Sequence, residues 1–240
     1  MFHSRLVRLA IVAVALVGVV SSTEAQESAK KDGPMVLGVI LYPGFEPLDV
    51  FGPVEMFMNV PANLLKVVMV AEKAGPVHST SGSSPTKFNG PAVVAEYGFE
   101  DAPHLDMLLV PGGFGTMPAL GDKKLLDFLK DRSPKADYTT SVCSGSAILA
   151  KAGLLDGQKA TCNKMMFDML TANGPKVDWV PKARWVEDGK MITSSGVSAG
   201  MDMALAIVEK LWGTPMAEGI AQGTEYIWNR DSTDDPFAKE

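Results

Sequence analysis

The sequence predicts an α/β fold, with a mostly parallel, doubly wound sheet in a three-layer sandwich. Two observations carry this expectation. Short apolar runs that end in Pro-Gly punctuation alternate along the chain with segments of helical periodicity. No internal repeat or shift in composition divides them, so one sheet has to accommodate the strands.

Met35 to Tyr42 (MVLGVILY) is an apolar run stopped by Pro43-Gly44, the pattern of a parallel strand buried on both faces. Pro53 to Val60 reads as a short helix with proline in its first turn, where a missing N–H costs nothing. Lys66 to Ala71 is a second strand, and the Ser-, Gly- and Pro-rich stretch Ser79 to Gly90 is a loop or short hairpin. Asp106 to Val110 is a buried strand closed by Pro111-Gly112-Gly113, and Lys123 to Arg132 is an amphipathic helix. Tyr138 to Val142 runs straight into Cys143-Ser144-Gly145-Ser146 and then into a helix from Ala147 to Ala152. Lys159 to Cys162 reads as a strand and Lys164 to Ala172 as a helix. Val177 to Val180, Arg184 to Glu187 and Met191 to Ser194 are short strands around an Asp188-Gly189 turn. Ser198 to Trp212 carries the strongest helical signal. Ser198 is its expected cap, and Met201, Leu205, Val208, Leu211 and Trp212 share one face. Pro215 to Ala221 is a further helix, and Asp231 to Glu240 reads as a polar, solvated tail.

Composition narrows the function. With 240 residues and 46% apolar side chains, the chain can bury one sizeable core. Two cysteines exclude a disulfide scaffold and a four-cysteine zinc site. A net charge of −6 argues against a nucleic-acid partner. The histidines have no ligand spacing, so no metal and no cofactor is expected.

Residues 1–25 read as a secretory signal. Arg5 and Arg8 precede an apolar run from Leu9 to Val20, roughly a dozen residues long and short for a membrane span. Thr23-Glu24-Ala25 fits a cleavage site, which places the cut before Gln26; retention as an N-terminal anchor is the alternative. Cleavage leaves a chain one charge more acidic than the full sequence, exported to the periplasm or beyond, with no stable membrane association. Residues 26–34 form a flexible lead-in, 35–228 the domain and 229–240 the tail.

Open α/β sheets place ligands at the carboxyl ends of their strands, and three segments lie there. Cys143 stands between strand and helix with small neighbours, as in a nucleophile elbow, where the helix N-terminus favours a thiolate; a buried structural cysteine is the plain alternative. Gly112 and Gly113 directly follow a buried strand, so their N–H groups can face a ligand, or they simply end the strand. Asp49 follows the first strand, either as a helix-start residue or as a carboxylate facing Cys143.

These segments carry a resemblance. V-C-S-G-S at Cys143, P-G-G-F-G at Gly112, and G-F-E-P-L-D-V-F-G-P around Asp49 resemble the ThiJ/PfpI family of the class I glutamine-amidotransferase-like superfamily. Gly153 to Asn163 and Thr193 to Val208 extend the likeness, which spans about Met35 to Gly213 with its blocks in family order. The L-D-x-x-G-P element is similar to the isonitrile hydratase-like branch. The resemblance implies a flavodoxin-like fold, usually as a homodimer, with Cys143 as nucleophile and Asp49 as its acid partner. It also implies an oxyanion hole from the N–H groups of Gly113 and Ser144.

One departure matters. Many relatives carry a histidine where this chain has Asn163, and His3, His78 and His104 all lie elsewhere. A Cys-His-Asp mechanism therefore lacks its base, whereas a cysteine–carboxylate pair survives, with Asn163 and Gly112 left to bind substrate. On a strand Cys162 points opposite to Asn163, and hence away from Cys143. Asp202 is either a buried cap partner or a site residue. The leading expectation is a hydratase or hydrolase for a small carbon–nitrogen or carbonyl substrate. The alternatives are a redox sensor working through Cys143 oxidation and a non-catalytic small-molecule binding module.

Overall fold

The computed structural model describes residues 33–80 and 87–238. The expected signal, its cleavage site and His3 lie outside the described residues. The elements, in chain order, are β1 (Met35–Ile40), α1 (Pro47–Met58), β2 (Leu65–Ala71), β3 (Gly75–His78), β4 (Ala92–Ala95), β5 (Tyr97–Gly98) and β6 (Met107–Val110). They continue with α2 (Thr116–Ala119), α3 (Lys123–Arg132), β7 (Tyr138–Ser141), α4 (Gly145–Lys151), β8 (Lys159–Ala160) and α5 (Phe167–Thr171). The last are β9 (Asp178–Trp179), β10 (Trp185–Asp188), β11 (Met191–Ser194), α6 (Ala199–Trp212) and α7 (Thr214–Gly223).

Seven strands form one sheet in the order β10-β11-β7-β6-β1-β2-β5. Every neighbouring pair is parallel except β10 with β11, which turns back through Gly189. The chain winds outward from β1 through β2 to β5. It then returns to β6 on the other side of β1 and winds outward again. The strand order therefore reverses between β1 and β6, where open α/β sheets leave a crevice at the strand ends. The expected doubly wound α/β sandwich is present.

Side-chain alternation explains why the central strands are apolar throughout. Leu37 and Val39 of β1 join Met107 and Leu109 of β6 in a core that also holds Val50 and Phe57 of α1, Met203 and Ile207 of α6 and Ile220 of α7. Ile40, Leu108 and Val110 face the opposite core, with Leu125 and Leu129 of α3 and Ile148 of α4. Both faces are covered, so no polar alternation survives.

Several expectations need correction. The first helix starts at Pro47, six residues before the expected Pro53, and Pro47 takes the favourable first-turn position. Pro53 lies inside α1, wedged against α6 at Gly200, where a Cβ would sit 3.0 Å from the Pro53 ring. Asp49 thus belongs to the first turn of the helix rather than the loop before it. The stretch expected as a loop or short hairpin, Ser79 to Gly90, joins two strands the sequence did not reveal, β3 and β4, because Gly75, Pro76 and His78 are poor strand formers and the faces are half exposed. The helix expected from Lys164 begins only at Phe167, since Asn163 Oδ1 captures the Met166 N–H in a turn (3.1 Å). Ser198 makes no side-chain cap. Backbone bonds to Gly196, Val197 and Ser198 satisfy the first amides of α6 instead.

The tail is not a solvated appendage either. Asp235 is buried, its N–H donates to the Lys182 carbonyl and its carboxylate lies 3.7 Å from Arg184. Ser232 accepts from the Arg184 N–H at 2.9 Å. Asp202, fully buried in α6, anchors this region: Oδ2 accepts from Arg184 Nε at 2.6 Å, and Oδ1 accepts from Tyr226 Oη and the Asn229 N–H. Asp202 is therefore a structural partner. It was ambiguous in sequence because its partners lie in remote segments.

Candidate active site

Three strand ends meet at the reversal point. β1 leads into Glu46 and Asp49, β6 into Gly112 and Gly113, and β7 into Cys143. The register aligns Val39 with Leu109 and Val110 with Ser141, so the three loops emerge level with one another.

Cys143 occupies the turn between β7 and α4 with φ 60°, a left-handed conformation that a residue of its kind rarely adopts. Surrounding contacts hold it there. Its N–H donates to the Ser195 carbonyl at 2.9 Å, and its carbonyl accepts from the Asn163 N–H at 3.2 Å. The elbow also needs Gly145, where a Cβ would stand 2.2 Å from the Val110 carbonyl oxygen. Four groups surround the sulfur. Asn163 Nδ2 donates to it at 3.2 Å, the Ser144 and Val197 N–H groups point at it, and Asp49 lies beside it. Asn163 is fixed in that orientation because its Oδ1 is occupied by the Met166 N–H. It is a donor to the sulfur and cannot act as a base.

Burial opposes the thiolate expected from the helix N-terminus. Burial, followed by the neighbouring Asp49 carboxyl, pushes the Cys143 thiol well above its ordinary range. The desolvation outweighs the dipole of a helix only seven residues long. Asp49 behaves likewise. It is fully buried, and burial drives its pKa well above the usual carboxylate range against the opposing Gly112 hydrogen bond, with Glu46 pushing in the same direction. Its Oδ2 accepts the Gly112 N–H at 2.7 Å, whereas Oδ1 is buried with no hydrogen-bond partner. Because Oδ2 accepts from Gly112, Oδ1 is the oxygen open to carry a proton, and the Cys143 thiol, whose hydrogen bond favours the charged carboxylate, is the neighbouring side chain.

Two assignments change with this geometry. Gly112 was expected to bind substrate, but its N–H holds Asp49 and it is absent from the cavity wall. The Gly113 N–H was expected in the oxyanion hole, but it donates to Ser144 Oγ at 3.0 Å. Ser144 Oγ lies 2.8 Å from Thr116 Oγ1, which lies 3.1 Å from Tyr42 Oη, which in turn donates to the Pro111 carbonyl at 2.6 Å. Each hydroxyl can donate once along this chain, so every member is satisfied and the loop after β6 is locked to the elbow. The backbone donors directed at the sulfur are the N–H groups of Ser144 and Val197, beside the Asn163 side chain. Nothing in the sequence marked Val197, Thr116 or Tyr42, because their roles depend on partners far along the chain.

Above the sulfur lies a cavity of about 270 Å³. Phe114, Met117, Met165, Met166, Leu170 and Val197 give it apolar walls, and Glu46, Thr116, Ser144 and Asn163 supply polar atoms. His78 and His104 are not on this wall. His104 is exposed and 3.2 Å from Asp106, and His78 Nδ1 is 3.0 Å from the Gly90 carbonyl. Cys162 packs in the core on the opposite face of the sheet from Cys143, and both thiols are free. Burial pushes the Cys162 thiol up to about 12. Among the described residues no cluster of side chains could hold a metal ion.

A profile of the DJ-1/PfpI family matches residues 36–210. The chain belongs to this family. Isonitrile hydratase of Pseudomonas putida is 36% identical over 193 residues, 79% of this chain and 78% of that protein, so the chain lies close to the isonitrile hydratase-like branch. The transcriptional regulator CdhR of Pseudomonas aeruginosa is 26% identical over 186 residues, but this chain spans only 52% of its length. Among solved structures, a ThiJ/PfpI family protein from Pseudomonas syringae superposes with a TM-score of 0.73 at 37% identity, over 82% of this chain and 77% of that one. Drosophila melanogaster DJ-1beta superposes with a TM-score of 0.68 at 21% identity, over 81% and 100%, which speaks for the fold alone. Asn163 is the side-chain donor to the sulfur, and among the described residues no imidazole lines this cavity.

Proposed function

We propose that the protein is a cysteine-dependent hydratase or hydrolase for a small carbon–nitrogen or carbonyl substrate, and that isonitrile hydration is its reaction. The observation that carries this reading is the fully buried Asp49 carboxyl, whose pKa burial raises and which neighbours Cys143, the residue that opens onto a mostly apolar cavity. An isonitrile suits this pair because its terminal carbon takes a proton and then a nucleophile. Asp49 delivers its proton to that carbon, Cys143 sulfur bonds to the same carbon, and the thiol proton passes to Asp49, which is thereby restored. The product is a thioimidate, R–N=CH–S–Cys143. Water adds to its carbon with proton transfer to nitrogen, the carbon–sulfur bond breaks, and the sulfur regains a proton as the N-substituted formamide leaves. Neither step needs an imidazole, which fits Asn163 at that position. The similarity to isonitrile hydratase supports the same reading.

The test is a panel of isonitriles, amides and α-oxoaldehydes against wild type, Cys143→Ala and Asp49→Ala. Formamide production by wild type, reduced at least about 100-fold in each variant, is expected. Full turnover in Cys143→Ala overturns the nucleophile, and turnover confined to α-oxoaldehydes overturns the substrate. We also propose export of the chain. An N-terminus at Gln26 in the exported protein supports it, and an intact Met1 overturns the cleavage.

A further inference from the structure

Glu46 was no more than a letter in a motif in the sequence, and the proposed chemistry does not use it. Its backbone is fixed, because its N–H donates to the Gly112 carbonyl at 2.8 Å and Pro47 follows it at the start of α1. Its side chain is half-buried on the wall of the cavity above Cys143. It makes no cap bond to α1, although it stands at the cap position, and it forms no ion pair among the described residues. No other acidic or basic side chain lines this cavity; the remaining wall is apolar or neutral. No cation neutralises this carboxyl; the Leu48 N–H in the first turn of α1 is the group that favours its charged form. Burial raises its pKa, the Leu48 N–H opposes that rise, and its charge adds to the forces that push the Asp49 pKa up.

We propose that Glu46 is the specificity-determining residue of this site, and that it selects small substrates carrying a protonated amine or another N–H donor, or no charge, against carboxylated ones. The inference deepens the functional reading and rests on Cys143 as the reacting group. The apolar wall accepts the body of the substrate, Cys143 and Asp49 act on its reactive end, and Glu46 interacts with a donor on its other end. A second negative charge inside the cavity would face Glu46 with no cation on the wall to offset it.

Charge-matched thiol reagents test this without any turnover. 2-Aminoethyl methanethiosulfonate is a cation and 2-sulfonatoethyl methanethiosulfonate is an anion. With either one, Cys143 sulfur forms a mixed disulfide, the thiol loses its proton, and methanesulfinate departs. Rates are read at the Cys143 peptide by mass spectrometry, which separates it from Cys162, and each is divided by the rate with N-acetylcysteine. Wild type is expected to favour the cation by about tenfold, the scale of one charge acting across a few ångströms of partly solvated protein. Glu46→Gln and Glu46→Ala are expected to bring the ratio close to one, with thermal melting confirming the fold. A wild-type ratio of one or less overturns the proposal, as does a preference for the cation that persists in both variants. Should neither variant fold, the wild-type ratio still decides. Charge preference without any hydratase activity sinks the functional reading and leaves this one standing; formamide production without the preference sinks this one alone.

Discussion

Burial raises the pKa of Asp49, against the opposing hydrogen bonds of Gly112 and Cys143, and this has a consequence for stability. The Asp49 carboxyl titrates higher in the folded protein than in the unfolded chain. Below the unfolded pKa, near 4, both states hold the proton and nothing is lost. As pH rises from there towards the folded pKa, only the unfolded chain releases it, so folding stability falls by up to about 1.4 kcal/mol per pH unit. Asp49→Asn keeps the Gly112 hydrogen bond and removes this titration. We expect the variant to match wild type near pH 4 and to become progressively more stable than wild type towards neutrality, as read by urea denaturation across that range. A constant difference would show that Asp49 is ionised in the folded state. The elbow makes a second residue-scale prediction. A methyl at position 145 would collide with the Val110 carbonyl, so Gly145→Ala is expected to destabilise the fold by about 1–3 kcal/mol and to lower Cys143 reactivity with it.

Elements were predictable where their signal was local. The α3 expectation matches the observed Lys123–Arg132, because Asp122 caps the helix by accepting the Lys124 and Leu125 N–H groups, and Leu125 and Leu129 lie on one face. The α1 expectation failed at its start: Pro47 occupies the first turn, and Pro53 lies inside the helix, packed against Gly200 of α6. The C-terminal strap was missed because its charges look solvated until Arg184 is placed beside them. That strap is the subject of an element-scale prediction. Asp202→Ala leaves Arg184 buried beside only a distant Asp235 and removes the acceptor of Tyr226 and Asn229. A cost of about 3–5 kcal/mol is expected. Limited proteolysis should then cut within 226–238 in the variant and spare wild type; equal resistance would show that the strap is held by other contacts.

At the scale of the molecule, the reversal of strand order between β1 and β6 fixes where chemistry can occur. It brings Asp49, Gly112 and Cys143 together from segments 63 and 31 residues apart. The same winding leaves Leu48, Phe51 and Met58 exposed on α1. The homodimer implied by the sequence resemblance would cover such apolar side chains. Light scattering is expected to give twice the chain mass, and Phe51→Glu to shift it towards the monomer; a monomeric wild type at micromolar concentration would end that expectation.

The sequence by itself determined the fold class, the strand–elbow–helix setting of Cys143, and the glycines that crowd it. These depend on the periodicity of a few neighbouring residues, on Pro-Gly punctuation and on small side chains next to a nucleophile. It also indicated that Cys162 points away from the site, since successive residues in extended chain face opposite sides. Only the tertiary structure decided that burial raises the thiol pKa, that Asp49 is fully buried against the Gly112 N–H, and that the Gly113 N–H is engaged by Ser144. The same holds for Val197 at the sulfur and Glu46 on the cavity wall. Desolvation and hydrogen-bond pairing are set by distances between remote segments, and no local stretch of sequence contains them.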